Sequence, residues 1–224
     1  MQLSITMLLL SRFFHGKDDG QLWWFGKNSM FFDLGYNNLE EDDDYIATAI
    51  EEIDGIFDLI LITEYFDQSL ILMKELLSWN WEDVLYIKVN SRTQVQSHGL
   101  HEHRLLVEKT RQWTKADAYL YDYFNSTLWK KIKLYGEERM KLDLQELSKR
   151  NKNLKEKCIL NEVKNIEVED PQNRVDNPQD IDMMGYILKP NAKNSTLCQG
   201  LIRSEVPWFK YLLNKQRKMV PRTF

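Results

Sequence analysis

No stretch of this sequence approaches the roughly 20 consecutive apolar residues that a membrane-crossing helix needs. Runs such as Met7 to Leu10 and Leu59 to Ile62 stop far short. Met1 to Leu10 has no basic residue ahead of its apolar core and only Arg12 behind it, a poor fit to a secretory signal, so an internal strand or helix edge is expected there. Cysteine is scarce. Cys158 and Cys198 are too few for a disulfide scaffold or a closed zinc site, although they could form one bridge in an oxidising compartment. An excess of positive charge is missing too: 30 Lys and Arg against 34 Asp and Glu leave a net charge of −4, so no nucleic-acid partner is expected. The G-x-S-x-G, H-E-x-x-H and G-x-G-x-x-G signatures are absent, which removes support for serine hydrolase, zinc peptidase and dinucleotide chemistry. Gly26-Lys27-Asn28-Ser29 resembles a phosphate loop only superficially, because the first glycine is missing and Asn stands near the metal-holding position.

What is present is a globular composition, 43% apolar residues plus nine glycines in 224 residues, which suits one domain with an appendage. Met30-Phe31-Phe32-Asp33-Leu34-Gly35 is short, aromatic and closed by glycine, as an inner strand would be. The acidic run Glu40 to Asp44 precedes Tyr45, Ile46, Ala49, Ile50 and Ile53 at helical spacing, so Asp42 to Asp44 are expected to cap that helix. Ile56 to Ile62 reads as a strand buried on both faces, Phe66 to Trp79 as a helix, and Val84 to Val89 as another strand. That alternation predicts an α/β fold, a mainly parallel sheet with flanking helices and right-handed crossovers. Ser91 to His103 reads as a polar loop. Thr114 with Asp117 has the capping-box pattern for a helix through Leu120, Tyr121, Phe124 and Leu128. A long amphipathic helix, in two pieces around Gly136, then reaches Cys158, and an irregular C-terminal region follows. The expected division is 1–160 for the α/β domain and 161–224 for a loop and tail packed on it.

In open α/β sheets, ligands bind beyond the carboxyl ends of the strands, where helix amino ends present free N–H donors. Glu64 and Asp67 follow the Ile56 to Ile62 segment and are therefore the candidate acceptor-binding residues. Glu64 could take a hydroxyl proton as general base or simply grip sugar hydroxyls; the bland alternative has Asp67 capping its helix and Glu64 paired with a basic neighbour. His98, His101 and His103 match no zinc spacing, and no metal is expected. Arg92 and Arg104 flank the same loop and could contact a phosphate or sulfate through forked hydrogen bonds. Asn125-Ser126-Thr127 and Asn194-Ser195-Thr196 are glycosylation sequons if the compartment is lumenal.

Phe31 to Gly35, Phe57 to Leu70, Asp83 to Tyr86 with Asn90 and Arg92, and Leu120 to Trp129 resemble, in order and spacing, the galactose-3-O-sulfotransferases, the family that includes galactosylceramide sulfotransferase. Cys158-Ile159, Gly185-Tyr186-x-Leu188-Lys189 and Leu197-Cys198 extend the resemblance to about residue 198. It implies a Golgi type II membrane enzyme, acting on the lumenal face, that moves a sulfuryl group from 3'-phosphoadenosine 5'-phosphosulfate to the 3-hydroxyl of a terminal galactose on a glycolipid or glycoprotein glycan, without a metal. It also implies a glycan at Asn125 and a paired Cys158 and Cys198; within that reading Glu64, singled out by its place after the apolar run, is the candidate catalytic and acceptor-side carboxylate, and Arg92 a candidate donor-phosphate contact. The family's anchor helix, its Lys-Thr-rich phosphosulfate loop and its Arg/Ser element find no counterpart ahead of Phe31, so an incomplete donor site and little transferase activity are expected of this chain. The alternatives are a uronyl or hexosaminyl 2-O-type sulfotransferase and a non-catalytic glycan-binding fragment that pairs with a full-length relative.

Overall fold

The computed structural model describes residues 26–89, 100–174 and 183–219. The chain falls into two compact units, the first drawn from Met1–Trp79 and Ser97–Leu144, the second from Asn80–Gln96 and Gln145–Phe224. The expected boundary at residue 160 therefore lies inside the second unit.

The first unit is helical. Helix α1 (Ser29–Asp33) replaces the strand expected over Met30 to Gly35. The reason lies far along the chain: the Asp117 carboxylate accepts the backbone N–H groups of Met30 at 3.2 Å and Phe31 at 2.9 Å, capping a helix start whose own N-cap, Asn28, supplies no side-chain cap. Helix α2 (Asp43–Ile56) begins as the acidic run foretold, with the Asp42 side chain accepting from the N–H of Tyr45 at 2.9 Å, and it buries Ile46, Ala49, Ile50 and Ile53. Lys115 pairs with Asp43 at 2.7 Å, and Lys27 pairs with Glu41. Helix α3 (Phe66–Leu76) buries Ser69, Leu70, Ile71 and Leu72. Helix α4 (Leu100–Trp113) begins inside the expected polar loop, the rest of which lies outside the described residues. Helix α5 (Lys115–Tyr135) is the centre of the unit; α1, α2, α3 and α4 all touch it, and its Leu120, Phe124, Leu128 and Ile132 repeat at helical spacing as the buried stripe. Thr114 does not cap it, because its hydroxyl donates to the Thr110 carbonyl at 2.8 Å.

Helix α6 (Glu137–Cys158) follows after a break at Gly136, whose φ of +100° is one that a residue with a Cβ rarely adopts, so the two-piece reading holds. The second unit packs Ile87, Leu154, Cys158, Ile159, Tyr186 and Leu188 with Cys198 and Ile202 into one apolar cluster. Cys158 and Cys198 are disulfide-bonded within it. Strand β1 (Ile159–Lys164) pairs with β2 (Met184–Leu188) antiparallel, with a register irregularity between Ile159 and Asn161. Helix α7 (Thr196–Ile202) and helix α8 (Glu205–Met219) complete the unit.

Among the described residues this two-stranded ladder is the whole sheet, so the α/β class stands while a mainly parallel sheet does not. Ile56 to Ile62 and Val84 to Val89, the other two segments expected as strands, have no strand neighbour among the described residues, and side chains take backbone groups a neighbour would have used. The Ile62 N–H donates to Ser69 Oγ at 3.1 Å, the Tyr86 N–H donates to Asn151 Oδ1 at 3.0 Å, and the Tyr186 hydroxyl donates to the Lys88 carbonyl at 2.6 Å. The polar stretch expected as a loop from Asn161 instead contributes most of β1.

In β2, Gly185 is fixed by packing: a Cβ there would lie 2.4 Å from Val168 Cγ2, and Val168 is buried. Gly185→Ala is expected to lower the unfolding free energy of this unit by about 1–3 kcal/mol through overpacking, read as a lower urea midpoint at unchanged slope.

Candidate functional site

Glu64 sits in a 3₁₀ turn, Thr63–Tyr65, that leads into α3. The turn is set by two bonds: the Tyr65 N–H donates to the Ile62 carbonyl at 2.9 Å, and buried Ser69 ties Ile62 back to the helix. With Ile62 anchored inside, Glu64 is pushed outward and is exposed, while Asp67 is half-buried in the first turn of α3.

Across from this turn runs one stripe of α5. Tyr121, Asn125 and Trp129 are four residues apart and therefore share a helix face. The Trp129 ring meets the Tyr65 ring edge-on, with centroids 5.0 Å apart at 76°. Burial pushes the Tyr121 phenol up, with the negative charge of nearby Glu64 as the next cause, so Tyr121 stays a protonated donor beside that carboxylate. Asn125 lies between these two residues on the stripe. Its Oδ1 is buried and has no hydrogen-bond partner, an uncommon condition for a buried acceptor. On the outer side of the stripe, Arg111 and Asp122 form an ion pair.

The set is chemically coherent. Glu64 offers a carboxylate acceptor, Tyr121 a donor, Asn125 an unused carbonyl acceptor, and Tyr65 and Trp129 two ring surfaces. Convergent polar groups beside aromatic faces are what a polyhydroxylated ring needs, since the groups fix its hydroxyls while the rings cover its C–H face. Neighbouring Glu64 and Asp67 were legible as candidates from their place after an apolar run. Tyr65, Tyr121 and Trp129 were not singled out as site residues, although the 121, 125, 129 spacing was there to be read.

The remaining candidates are scattered. Asn125 bears its sequon in mid-helix with a half-buried amide, whereas Asn194 is exposed in the turn before α7. Arg104 is exposed on α4. Arg92 and His98 lie outside the described residues, as do the side chains of His101 and His103. Among the described residues no group of three or more His, Cys, Asp or Glu could hold a metal ion, and no helix is long and apolar enough to cross a membrane.

A family model described as galactose-3-O-sulfotransferase matches residues 6–216. Galactose-3-O-sulfotransferase 3 of Bos taurus is 32% identical over 209 residues, covering 87% of this chain and 47% of its own length. Galactosylceramide sulfotransferase of Bos taurus is 33% identical over 188 residues, covering 81% of this chain and 44% of its own. Galactose-3-O-sulfotransferase 2 of Homo sapiens is 32% identical, covering 84% and 48%. The chain thus spans about half the length of the curated relatives it matches. No solved structure matches it.

Proposed function

Because the chain belongs to the galactose-3-O-sulfotransferase family, we propose that it serves sulfate transfer from 3'-phosphoadenosine 5'-phosphosulfate to the 3-hydroxyl of a terminal galactose, on a glycolipid such as galactosylceramide or on a glycoprotein glycan, and that the Glu64 turn is its acceptor side. The observation that carries this reading is the unsatisfied Oδ1 of Asn125, which lies one helical turn from Tyr121, whose phenol feels the Glu64 charge, and one turn from Trp129, whose ring meets Tyr65. A sugar hydroxyl donating to that oxygen removes the cost of a buried, unpaired acceptor.

The donor brings an activated sulfuryl group; the residues described here act on the acceptor. Tyr65 and Trp129 seat the ring, Asn125 accepts one hydroxyl, and Asp67 is near enough in sequence to hold a second. Glu64 accepts the proton of the attacking hydroxyl as its oxygen bonds to sulfur and the bond from sulfur to the phosphate oxygen breaks. Exposure of Glu64 in the free chain suits this role, since a bound sugar would remove it from water and strengthen its hold on the hydroxyl. The bonded Cys158 and Cys198, and Asn194 as an exposed glycan acceptor, favour an oxidising lumen such as that of the Golgi.

Titration with methyl β-galactoside, followed by amide NMR shifts on α5, tests the reading. Asn125→Ala and Trp129→Ala are expected to weaken binding about tenfold or more, since the first removes a hydrogen bond to the sugar and the second an aromatic face beneath it. Trp129 is 46% exposed, so its removal leaves the fold standing. Equal affinity in wild type and both variants, or no binding by any of them, would overturn the acceptor assignment.

A further inference from the structure

We infer that the second unit carries an oxyanion-binding site built on Arg203, an inference independent of the acceptor reading. Arg203 is the residue that follows α7 on the way to α8, in an extended conformation with φ −66° and ψ 132°. Its guanidinium carbon lies 5.2 Å from the Trp208 ring centroid and 5.3 Å from that of Tyr211. Trp208 is itself fixed: its indole N–H donates to the Gly200 carbonyl at 2.9 Å, and the missing side chain at Gly200 is what admits the ring, since a Cβ would come within 3.1 Å of it. Two aromatic faces therefore hold a long cationic side chain in one orientation, which spares a ligand much of the cost of ordering it.

The charge so held is unspent. Arg203 makes no ion pair with any described residue, and its Nε is buried without a hydrogen-bond partner. Beside it is a cavity of about 190 Å³ whose lining includes Arg203, Asn173, Ser204, Met184, Tyr186 and Ile202. A water's share of liquid is roughly 30 Å³, so the space admits a tetrahedral oxyanion together with the first atoms of the group it esterifies. Nε and one Nη of a guanidinium form a planar fork that meets two oxygens of such an anion. Ser204 frames the site and does not bind in it: its N–H donates to the Gln172 carbonyl at 3.1 Å and its hydroxyl to the same carbonyl at 3.2 Å, which leaves the anion to the guanidinium. Apolar Met184 and Ile202 lower the local dielectric and strengthen the charge of Arg203.

Glu205 also lines the cavity, and it is exposed. A carboxylate at the rim repels a dianion more than a monoanion. The site is therefore expected to prefer a singly charged sulfate ester to a phosphate monoester, which carries about −1.5 to −2 at neutral pH.

The test reads by NMR in the full chain the Arg203 Nε–Hε signal, assigned by its loss in Arg203→Lys, together with the Ser204 backbone amide and Trp208 indole N–H signals, which both variants keep and which report binding in them. Three probes are titrated separately: inorganic sulfate, galactose 3-sulfate and adenosine 3',5'-bisphosphate. The expected result is a saturable shift with galactose 3-sulfate, a weaker one with inorganic sulfate, which is a dianion, about tenfold weaker binding of the ester in Arg203→Lys, which keeps the charge and loses the fork, and still weaker binding in Arg203→Gln. Intact β1 and β2 amide signals in the variants exclude misfolding as the cause. A shift with the nucleotide alone would overturn the preference for sulfate esters. No shift with any probe, or binding undiminished in both variants, would overturn the site.

Discussion

Removing the Cys158–Cys198 bridge is expected to lower the unfolding free energy of the second unit by roughly 4 kcal/mol. The two residues are 40 positions apart, and a cross-link of that span removes much of the conformational freedom of the unfolded chain. The position adds to the effect. Cys158 is the last residue of α6 and the one before β1, its carbonyl accepts the Lys189 N–H at 2.9 Å, and Cys198 sits on α7 among the same apolar side chains. The bridge thus joins the entry of the hairpin to the helix packed on it. Cys158→Ala with Cys198→Ala is the cleaner variant, because both sulfurs are buried and a serine would leave a hydroxyl in the core. Hydrogen exchange should show early loss of protection in β1 and β2, with the amides of α5 in the other unit holding. Unchanged protection of the hairpin after reduction would mean that apolar packing alone fixes this unit.

How far the fold could be read from the sequence depended on the range of the interaction that decides each element. Helix α2 was legible because its signal is local: Asp42 caps within three residues, and Ile46, Ala49, Ile50 and Ile53 follow at helical spacing. The break between α5 and α6 was legible for the same reason, since one glycine at positive φ makes it. Helix α1 was not. Five residues with two phenylalanines resemble a strand, and what makes them helical is a carboxylate 86 positions later. The two apolar segments failed differently. Their composition suits a sheet interior, yet Ser69, Asn151 and Tyr186 satisfy or engage their backbone where a neighbouring strand would have done so.

The candidate site was legible on one side only. Glu64 and Asp67 announced themselves by following an apolar run. Asn125 was noticed as a sequon, and its second meaning, a buried acceptor lacking a donor, exists only once α5 is laid beside the Tyr65 turn. Arg203 gave no signal at all, because an arginine becomes informative only when its surroundings withhold a partner. Trp208 and Tyr211, five and eight residues further on, hold it in place through the turn from α7 into α8.

Asp117→Ala is expected to cost the first unit on the order of 3 kcal/mol, because two buried or half-buried backbone donors at the start of α1 lose their acceptor, each worth about 1–3 kcal/mol when left unpaired. A neighbouring network survives the substitution, because it hangs on the backbone of residue 117: the Asp117 N–H donates to Asn28 Oδ1 at 3.2 Å, Asn28 Nδ2 donates to the Asn38 carbonyl at 2.8 Å, and Asn38 Nδ2 donates to the Lys27 carbonyl at 2.9 Å. Titration of the carboxylate supplies a separate test. Burial pushes the Asp117 carboxyl above its ordinary 3.8, although the N–H groups of Phe31 and Met30 pull the other way. The folded chain therefore binds this proton more readily than the unfolded chain. The stability it contributes is complete at acid pH and is lost as pH rises from the ordinary carboxylate value through the raised one. Urea unfolding of the first unit across that range should show the decline in wild type and a flatter profile in Asp117→Asn, which keeps a side-chain acceptor and cannot ionise. An equally steep decline in Asp117→Asn would place the titrating group elsewhere.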